Sequence, residues 1–311
     1  MAESKRPLVS STDPLWLRAI AIKGSREAFT VVEPASSLSS LVNSGVRAVS
    51  FGDVKLERPL PTHAALDPYP IPVTEDREGY YGDLHYDWWL SGLYDYLAVK
   101  QTIARFGVNL KRGDAIFELG CASGRVLRHF ACQAQDIDIW GADINLRHVE
   151  WIRNFLPQRI KVFQNTALPH LPVEDKSISL VLAFSVFTHI DELELAWLAE
   201  LRRVLKPGGF AYLTIHSERT WSKMRPGLPA FEYLVAVRER IEDYVVSEDL
   251  FRSSMPVEKV VFSWEHAANY SSSVFHHSKY IRSTWGRFFE VKDILEAAHD
   301  YQDVVVLQRE A

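Results

Sequence analysis

The stretch AIFELGCASGRV, Ala115 to Val126, decides how the rest of the chain is read. Apolar residues and one acid, Glu118, run into a turn where Gly120 and Gly124 bracket a cysteine, an alanine and a serine. The run predicts a short buried strand that bends sharply and feeds a helix. That geometry aims backbone N–H groups and a helix N-terminus at something polar. A dinucleotide fingerprint spaces its glycines G-x-G-x-x-G, the last for close helix–strand packing. Here Gly120 fits the first place, Ala122 holds the second and Arg125 the third. The spacing present is E-x-G-x-A-x-G, a turn a ligand can lie across but not one built for a pyrophosphate. Asp143, in IWGADI, follows 23 residues after Gly120. A carboxylate ending the next strand can accept both hydroxyls of a ribose.

Outward from this motif, strand and helix signals alternate. Strands are predicted at 115–120, 138–144, 160–165, 178–185 and 210–216, and helices at 124–134, 145–156 and 191–205. The last helix carries Leu193, Trp197, Leu201, Val204 and Leu205 at helical spacing and ends at the breaker KPGG. Alternation of this kind predicts a parallel sheet with helices on both faces. FFEVKDI and YQDVVVLQR add two closing strands. Residues 217–285 read as an aromatic-containing insertion after the fifth strand, a lid or substrate cap.

Upstream, WLRAIAIK, AFTVVE and VRAVSFGDVKLER read as a small β-rich arm, the last with a Gly-Asp hairpin turn. The proline-dense RPLPTHAALDPYPIPVTED reads as a stiff connector. The expected organisation is an arm and connector over 1–75 and a catalytic domain over 76–311. In YYGDLHYDWWLSGLYDYLAVKQTIARFG, Trp89, Leu93, Tyr96, Leu97, Ile103 and Ala104 suit one helical face.

Composition bounds the class. The 311 residues are 47% hydrophobic and 24% charged, an ordinary globular balance. Net charge is −5 with no long basic block, which argues against duplex nucleic acid. No apolar run is long enough to span a bilayer. MAESKRPLVSSTDP lacks a secretory core, so a cytoplasmic address is expected. Cys121 and Cys132 offer neither a disulfide framework nor a metal set, and no metal is expected.

LPVEDKSISLVLAFSVFTHI (Leu171–Ile190) and LAELRRVLKPGGFAYLTIH (Leu198–His216) resemble the corresponding segments of class I S-adenosylmethionine-dependent methyltransferases. The resemblance covers roughly residues 85–216 and, more loosely, the closing strand. It implies a Rossmann-like seven-stranded sheet with the last strand antiparallel, and S-adenosylmethionine as cofactor. Carried over, Glu118, Gly120, Cys121, Ala122 and Gly124 form the loop under the methionine half. Asp143 would hold the ribose and Ile144 would pack on the adenine. The adenine edge falls on Asn165 or Thr166 with the backbone of Ala167. Phe184 and Ser185 would line the sulfonium, with His189 nearby and Tyr94 by the methionine carboxylate. Ala122 departs from the commoner glycine. Ser179 stands where the family usually has a structural aspartate.

Methyl transfer from a sulfonium needs chiefly positioning and exclusion of water. A base is needed only where the acceptor is protonated. His216, His277 and His189 are the candidates, with Tyr280 close to His277. Each has a plainer reading, as a brace, a cap or a packed ring, and His276–His277 without cysteine or a carboxylate pattern makes a weak metal set. Tyr80, Tyr81, Tyr86, Trp88, Trp89, Tyr94, Trp221, Phe231, Tyr233 and Trp264 supply core packing and, in part, an apolar pocket. The expected acceptor is a small metabolite, methylated on oxygen or nitrogen. Neither nucleic acid nor membrane is expected as a partner, and the arm is a candidate for pairing two subunits. An NAD(P)-dependent oxidoreductase and a non-catalytic S-adenosylmethionine-binding module are the alternatives. The first is disfavoured by Arg125. AFSVF after the fourth strand, in place of Asn/Asp-Pro-Pro-aromatic, argues against methylation of nucleic-acid amino groups.

Overall fold

The structure is a computed structural model describing residues 29–38, 53–134, 136–241, 243–264 and 272–310. The segments of the expected arm at 16–23 and 46–52 lie outside the described residues. Two compact units emerge, one of residues 29–164 with Ile178–Leu180, the other of Asn165–Ser177 with 181–310.

In the first unit, β1 (Val31–Val32) pairs antiparallel with β2 (Ile71–Pro72). Strands β3 (Ala115–Leu119), β4 (Asp138–Asp143) and β5 (Ile160–Gln164) pair in parallel, Glu118 opposite Gly141 and Asp143 opposite Gln164. All five residues of β3 are buried, as a strand covered on both faces must be. Helix α1 (His85–Arg105) does not follow a one-face pattern. Trp88, Trp89, Leu93, Tyr96, Leu97 and Ile103 are all buried, whereas Ala104 is exposed. This explains the surplus of aromatics: a helix enclosed almost all round needs apolar residues almost all round. The proline-rich segment is not a free spacer. Asp67 within it is fully buried, accepting Trp89 Nε1 at 2.8 Å and a two-pronged Arg128 guanidinium at 2.6 and 2.9 Å. Helices α2 (Leu127–Gln133) and α3 (Leu146–Phe155) complete this unit's crossovers.

Strand β6 (Ile178–Ala183) contributes to both units. In the second unit, helix α4 (Glu194–Val204) leads into β7 (Leu205–Ser217). The KPGG segment stops the helix as expected, yet it belongs to the strand. Gly208, at φ +77°, donates to Arg309 O at 2.8 Å and so extends the pairing to the end of the chain. Strands β10 (Glu290–His299) and β11 (Gln302–Gln308) form an antiparallel pair, and β11 runs antiparallel to β7. The strand order is β10-β11-β7-β6-β3-β4-β5, a seven-membered path whose last strand is antiparallel. The fold is thus the Rossmann-like α/β arrangement expected from the sequence.

The insertion is a folded body that lengthens the sheet. Ser217 caps helix α5 (Glu218–Ser222) in a capping box with Thr220. Helices α6 (Pro229–Val237) and α7 (Glu248–Arg252) follow. Strands β8 (Lys259–Ser263) and β9 (Ser272–His276) pair antiparallel, and β9 joins β7 in parallel, His216 opposite Phe275. Helix α8 (Ser278–Thr284) closes it. Trp221, Phe231, Phe251, Phe262, Trp264 and Phe275 form its own core. Trp221, Phe231 and Trp264 therefore fill this body rather than line an open pocket. No helix among the described residues is long and apolar enough to cross a membrane.

Candidate functional site

The turn after β3 is tied down by its own amides. Gly120 and Cys121 both donate to Ala142 O, at 2.8 and 3.0 Å, and Gly124 donates to Cys121 O at 2.9 Å. The Ala122 N–H reaches Asp143 Oδ2 at 2.8 Å. The sequence suggests amides pointing at a ligand, but in the structure these four point at protein. The reason is the tightness of the turn, which brings it against the carboxyl end of β4. A pyrophosphate would have to compete for donors already engaged. The departure at position 122 is visible in the backbone: Ala122 has φ +44°, the left-handed region that favours glycine.

Close packing fixes this turn from two sides. A Cβ at Gly92 of α1 would lie 2.2 Å from Arg125 O, and one at Gly124 would lie 2.7 Å from Leu156 Cδ1. Arg125 itself pairs with buried Asp95 at 2.6 Å and reaches Ser91 Oγ at 3.1 Å. Ser123 Oγ donates to Asp76 O, and Asp76 pairs with Arg147. The segment before α1 is thereby fastened to the turn.

Glu118 is the most perturbed acid here. It is buried, and its Oε2 has no hydrogen-bond partner. Burial pushes its carboxyl up to about 8; Arg125 opposes this while Asp95 and Asp143 add to it. An unpaired carboxylate oxygen beside a backbone cradle suits a cationic group such as an amino acid's ammonium. Cys121 is buried with its thiol pushed far up by burial, so it packs and does not react.

Asp143 is buried and accepts twice from backbone, from Ala122 as above and from Asn145 N–H at 2.8 Å on Oδ1. His148 Nδ1 lies 3.4 Å from Oδ1, and Glu78 accepts from Asn145 Nδ2 at 3.2 Å. A carboxylate has about four acceptor positions, so Asp143 can serve a ribose as well as the turn. Glu78, Asn145, His148, Gly92 and Asp76 are neighbours that sequence reasoning missed. A helix-capping Asn before LRHVEWIRNF and an isolated glycine inside a helix were the available signals. Ile144 is half-buried, its carbonyl accepting from Gln164 Nε2 at 3.0 Å. Tyr94 is half-buried on α1, its phenol pushed up by burial and by Asp95.

The remaining candidates belong to the other unit. Asn165 is buried, its Nδ2 donating to Thr166 O at 2.9 Å while Oδ1 has no partner. That is the acceptor an adenine amino group needs. Thr166 Oγ1 accepts from Leu168 N–H at 3.2 Å, and Ala167 O accepts from Trp197 Nε1 at 3.1 Å. Phe184 is buried beside Tyr212 and His299. Ser185, at φ +55°, exchanges hydrogen bonds with the Gln302 amide and donates its N–H to Thr214 Oγ1 at 2.7 Å.

The histidines separate clearly. His189 Nδ1–H donates to Ser272 O at 2.8 Å, and Ser272 Oγ donates back to His189 O. His277 is half-exposed at the N-cap of α8, its Nδ1 accepting from Lys279 N–H at 3.1 Å. This is a capping role, and it leaves that nitrogen unavailable as a base. Tyr280 has its phenol raised by burial and by Glu194, which disfavours the phenolate. His276 is buried against Glu194 Oε2 at 3.0 Å, with Lys259 at 2.8 Å and Trp285 Nε1 at 2.7 Å on the same carboxylate. His216 alone of these is buried with neither ring nitrogen hydrogen-bonded. No cluster of three or more potential metal ligands occurs among the described residues.

Residues 117–213 match the family model described as a methyltransferase domain. Among solved structures, an S-adenosylmethionine-dependent methyltransferase from Methanosarcina mazei is 19% identical, covering 67% of this chain and 97% of that one at a TM-score of 0.44. Another from Aquifex aeolicus is 16% identical, covering 67% and 88% at 0.41. Comparison with curated proteins finds no match.

Proposed function

We propose that this chain, a class I methyltransferase that takes S-adenosylmethionine, transfers its methyl group to an oxygen or nitrogen of a small metabolite. The observation that carries the cofactor side is Glu118: a buried carboxylate with an unpaired oxygen, behind a turn whose amides are already satisfied. Such a turn is poor for a pyrophosphate and good for a zwitterionic amino acid joined to a nucleoside, which weighs against a nicotinamide cofactor. Asp143 would accept the ribose hydroxyls and Ile144 would pack on the base.

When bound, S-adenosylmethionine supplies an electrophilic methyl group on a sulfonium. The chain's own part is to hold and orient, which can lower a barrier by about 7–11 kcal/mol. A small-molecule acceptor is supported by the net charge of −5, which disfavours a polyanionic acceptor such as nucleic acid. Calorimetric titration with S-adenosylhomocysteine and with NADH, followed by isotope transfer from methyl-labelled cofactor to a panel of small hydroxyl and amino compounds, tests the reading. Binding of the first nucleoside and labelling of a panel member are expected. Binding of NADH instead would overturn it.

A further inference from the structure

A cavity of about 410 Å³ lies within the second unit, walled by helices α5 and α8 and by the hairpin of β10 and β11. At roughly 30 Å³ per water in the liquid it is much larger than one solvent site, and it falls in the size range of small-molecule pockets. Its walls are polar: Ile294 alone is apolar among the described lining residues. None of them is a residue assigned above to the cofactor.

Part of the wall is already committed to itself. Arg219 Nε donates to Asp303 Oδ1 at 2.6 Å and Nη2 to Tyr301 O at 2.9 Å. Glu218 accepts the Ser278 N–H at 3.0 Å on Oε2 and the Ser278 hydroxyl at 2.5 Å on Oε1.

Three groups are left over. Asp303 is 3% exposed, and the bonds it accepts, from Arg219 and from Ala297 N–H at 2.8 Å, all fall on Oδ1. Its Oδ2 has no partner among the described residues, an unused acceptor on a buried carboxylate. Glu296 and Arg282 are exposed, and neither has an ion-pair partner among the described residues. Nor do they pair with each other, although they line the same cavity. The two acids stand on the hairpin, Glu296 beside the Ala297 that binds Asp303, whereas the guanidinium stands on α8. Opposite charges thus face one cavity with no protein group bridging them.

That pattern suits a ligand charged oppositely at its two ends. An ammonium brings three donors to the carboxylates, and a carboxylate matches the planar fork of a guanidinium. A simple cation would leave Arg282 uncompensated, and a simple anion would meet two acids. We propose that this cavity binds a small free amino acid, its ammonium held by Asp303 and Glu296 and its carboxylate by Arg282. The site stands independently of the methyltransferase reading.

Saturation-transfer NMR titrations of the full chain with L-serine, ethanolamine and 3-hydroxypropanoate test this. The second compound lacks the carboxylate and the third lacks the ammonium. L-Serine is expected to bind saturably, and at least about tenfold more tightly than either, as loss of a charged hydrogen bond implies. Arg282→Gln should bring L-serine level with ethanolamine, and Glu296→Gln should narrow its advantage over 3-hydroxypropanoate. Both side chains are exposed, so unchanged melting temperatures are expected of the variants. Failure of L-serine to bind, equal binding of either analogue, or L-serine binding that Arg282→Gln leaves intact would overturn the proposal.

Discussion

The N–H of Ala122 donates to Asp143 Oδ2 at 2.8 Å, so the acid at the end of β4 closes the turn after β3. Asp143 therefore has two duties. Replacing it with alanine exposes two buried N–H groups without partners, at about 1–3 kcal/mol each. Asp143→Ala is expected to lower Tm and to weaken S-adenosylhomocysteine at least about tenfold, a loss of roughly 1.4 kcal/mol. Thermal melting and calorimetry on one preparation check both; weak binding at wild-type Tm would assign the acid to ligand alone.

Ala122 occupies left-handed backbone at φ +44°, which costs an L-residue roughly 1–2 kcal/mol. Ala122→Gly is expected to raise stability by up to about 1 kcal/mol, part of the gain being offset by unfolded-state entropy. Gly92→Ala should do the reverse. Its new methyl would meet Arg125 O at 2.2 Å, and such overpacking costs about 1–3 kcal/mol. Urea denaturation of the pair measures both signs.

Glu194 supplies an acid-limb prediction. Its carboxyl is held at about 2, below the usual 4.5; His276 and Lys259 stabilise its charge against the opposing effect of burial. A depressed acid contributes stability above its unfolded value and loses it as pH falls from about 4.5 through about 2. Glu194→Gln should flatten that limb and, by leaving buried partners uncompensated, cost about 3–5 kcal/mol near neutrality. Melting curves between acid and neutral pH test it.

Glu118 has the opposite sign. Its folded value of about 8 lies above the ordinary 4.5, so its contribution to the stability of the ligand-free protein is fully present below 4.5 and is lost as pH rises through 8. A cofactor ammonium beside it reverses the preference. Binding at pH 7 should therefore release a proton, seen as calorimetric heats that vary with buffer ionisation enthalpy, and affinity should fall as pH drops below 8. Glu118→Gln should abolish both effects and make the free protein's stability less dependent on pH.

Much of this was legible in the sequence. Period and punctuation placed β3, β4 and β5 to within a residue or two, since each carries a short apolar run and Gly120 marks the turn after β3. The same reading put Glu118 inside β3 and Asp143 at the end of β4, where the structure has them. What escaped was long-range. Nothing local marks Asp67 as the buried partner of Arg128, 61 residues away. Nor does it mark KPGG as pairing with Arg309. His277 and His216 look alike in sequence, but one caps a helix and the other is buried beside the rings of Phe275 and Tyr301.

A crystal structure with S-adenosylhomocysteine tests the central claim most directly. The account expects the nucleoside across Gly120–Gly124, with ribose oxygens within about 3.2 Å of the Asp143 carboxylate and the amino group at a similar distance from Glu118 Oε2. A ribose bound away from Asp143, with Glu118 still unpaired, would contradict it.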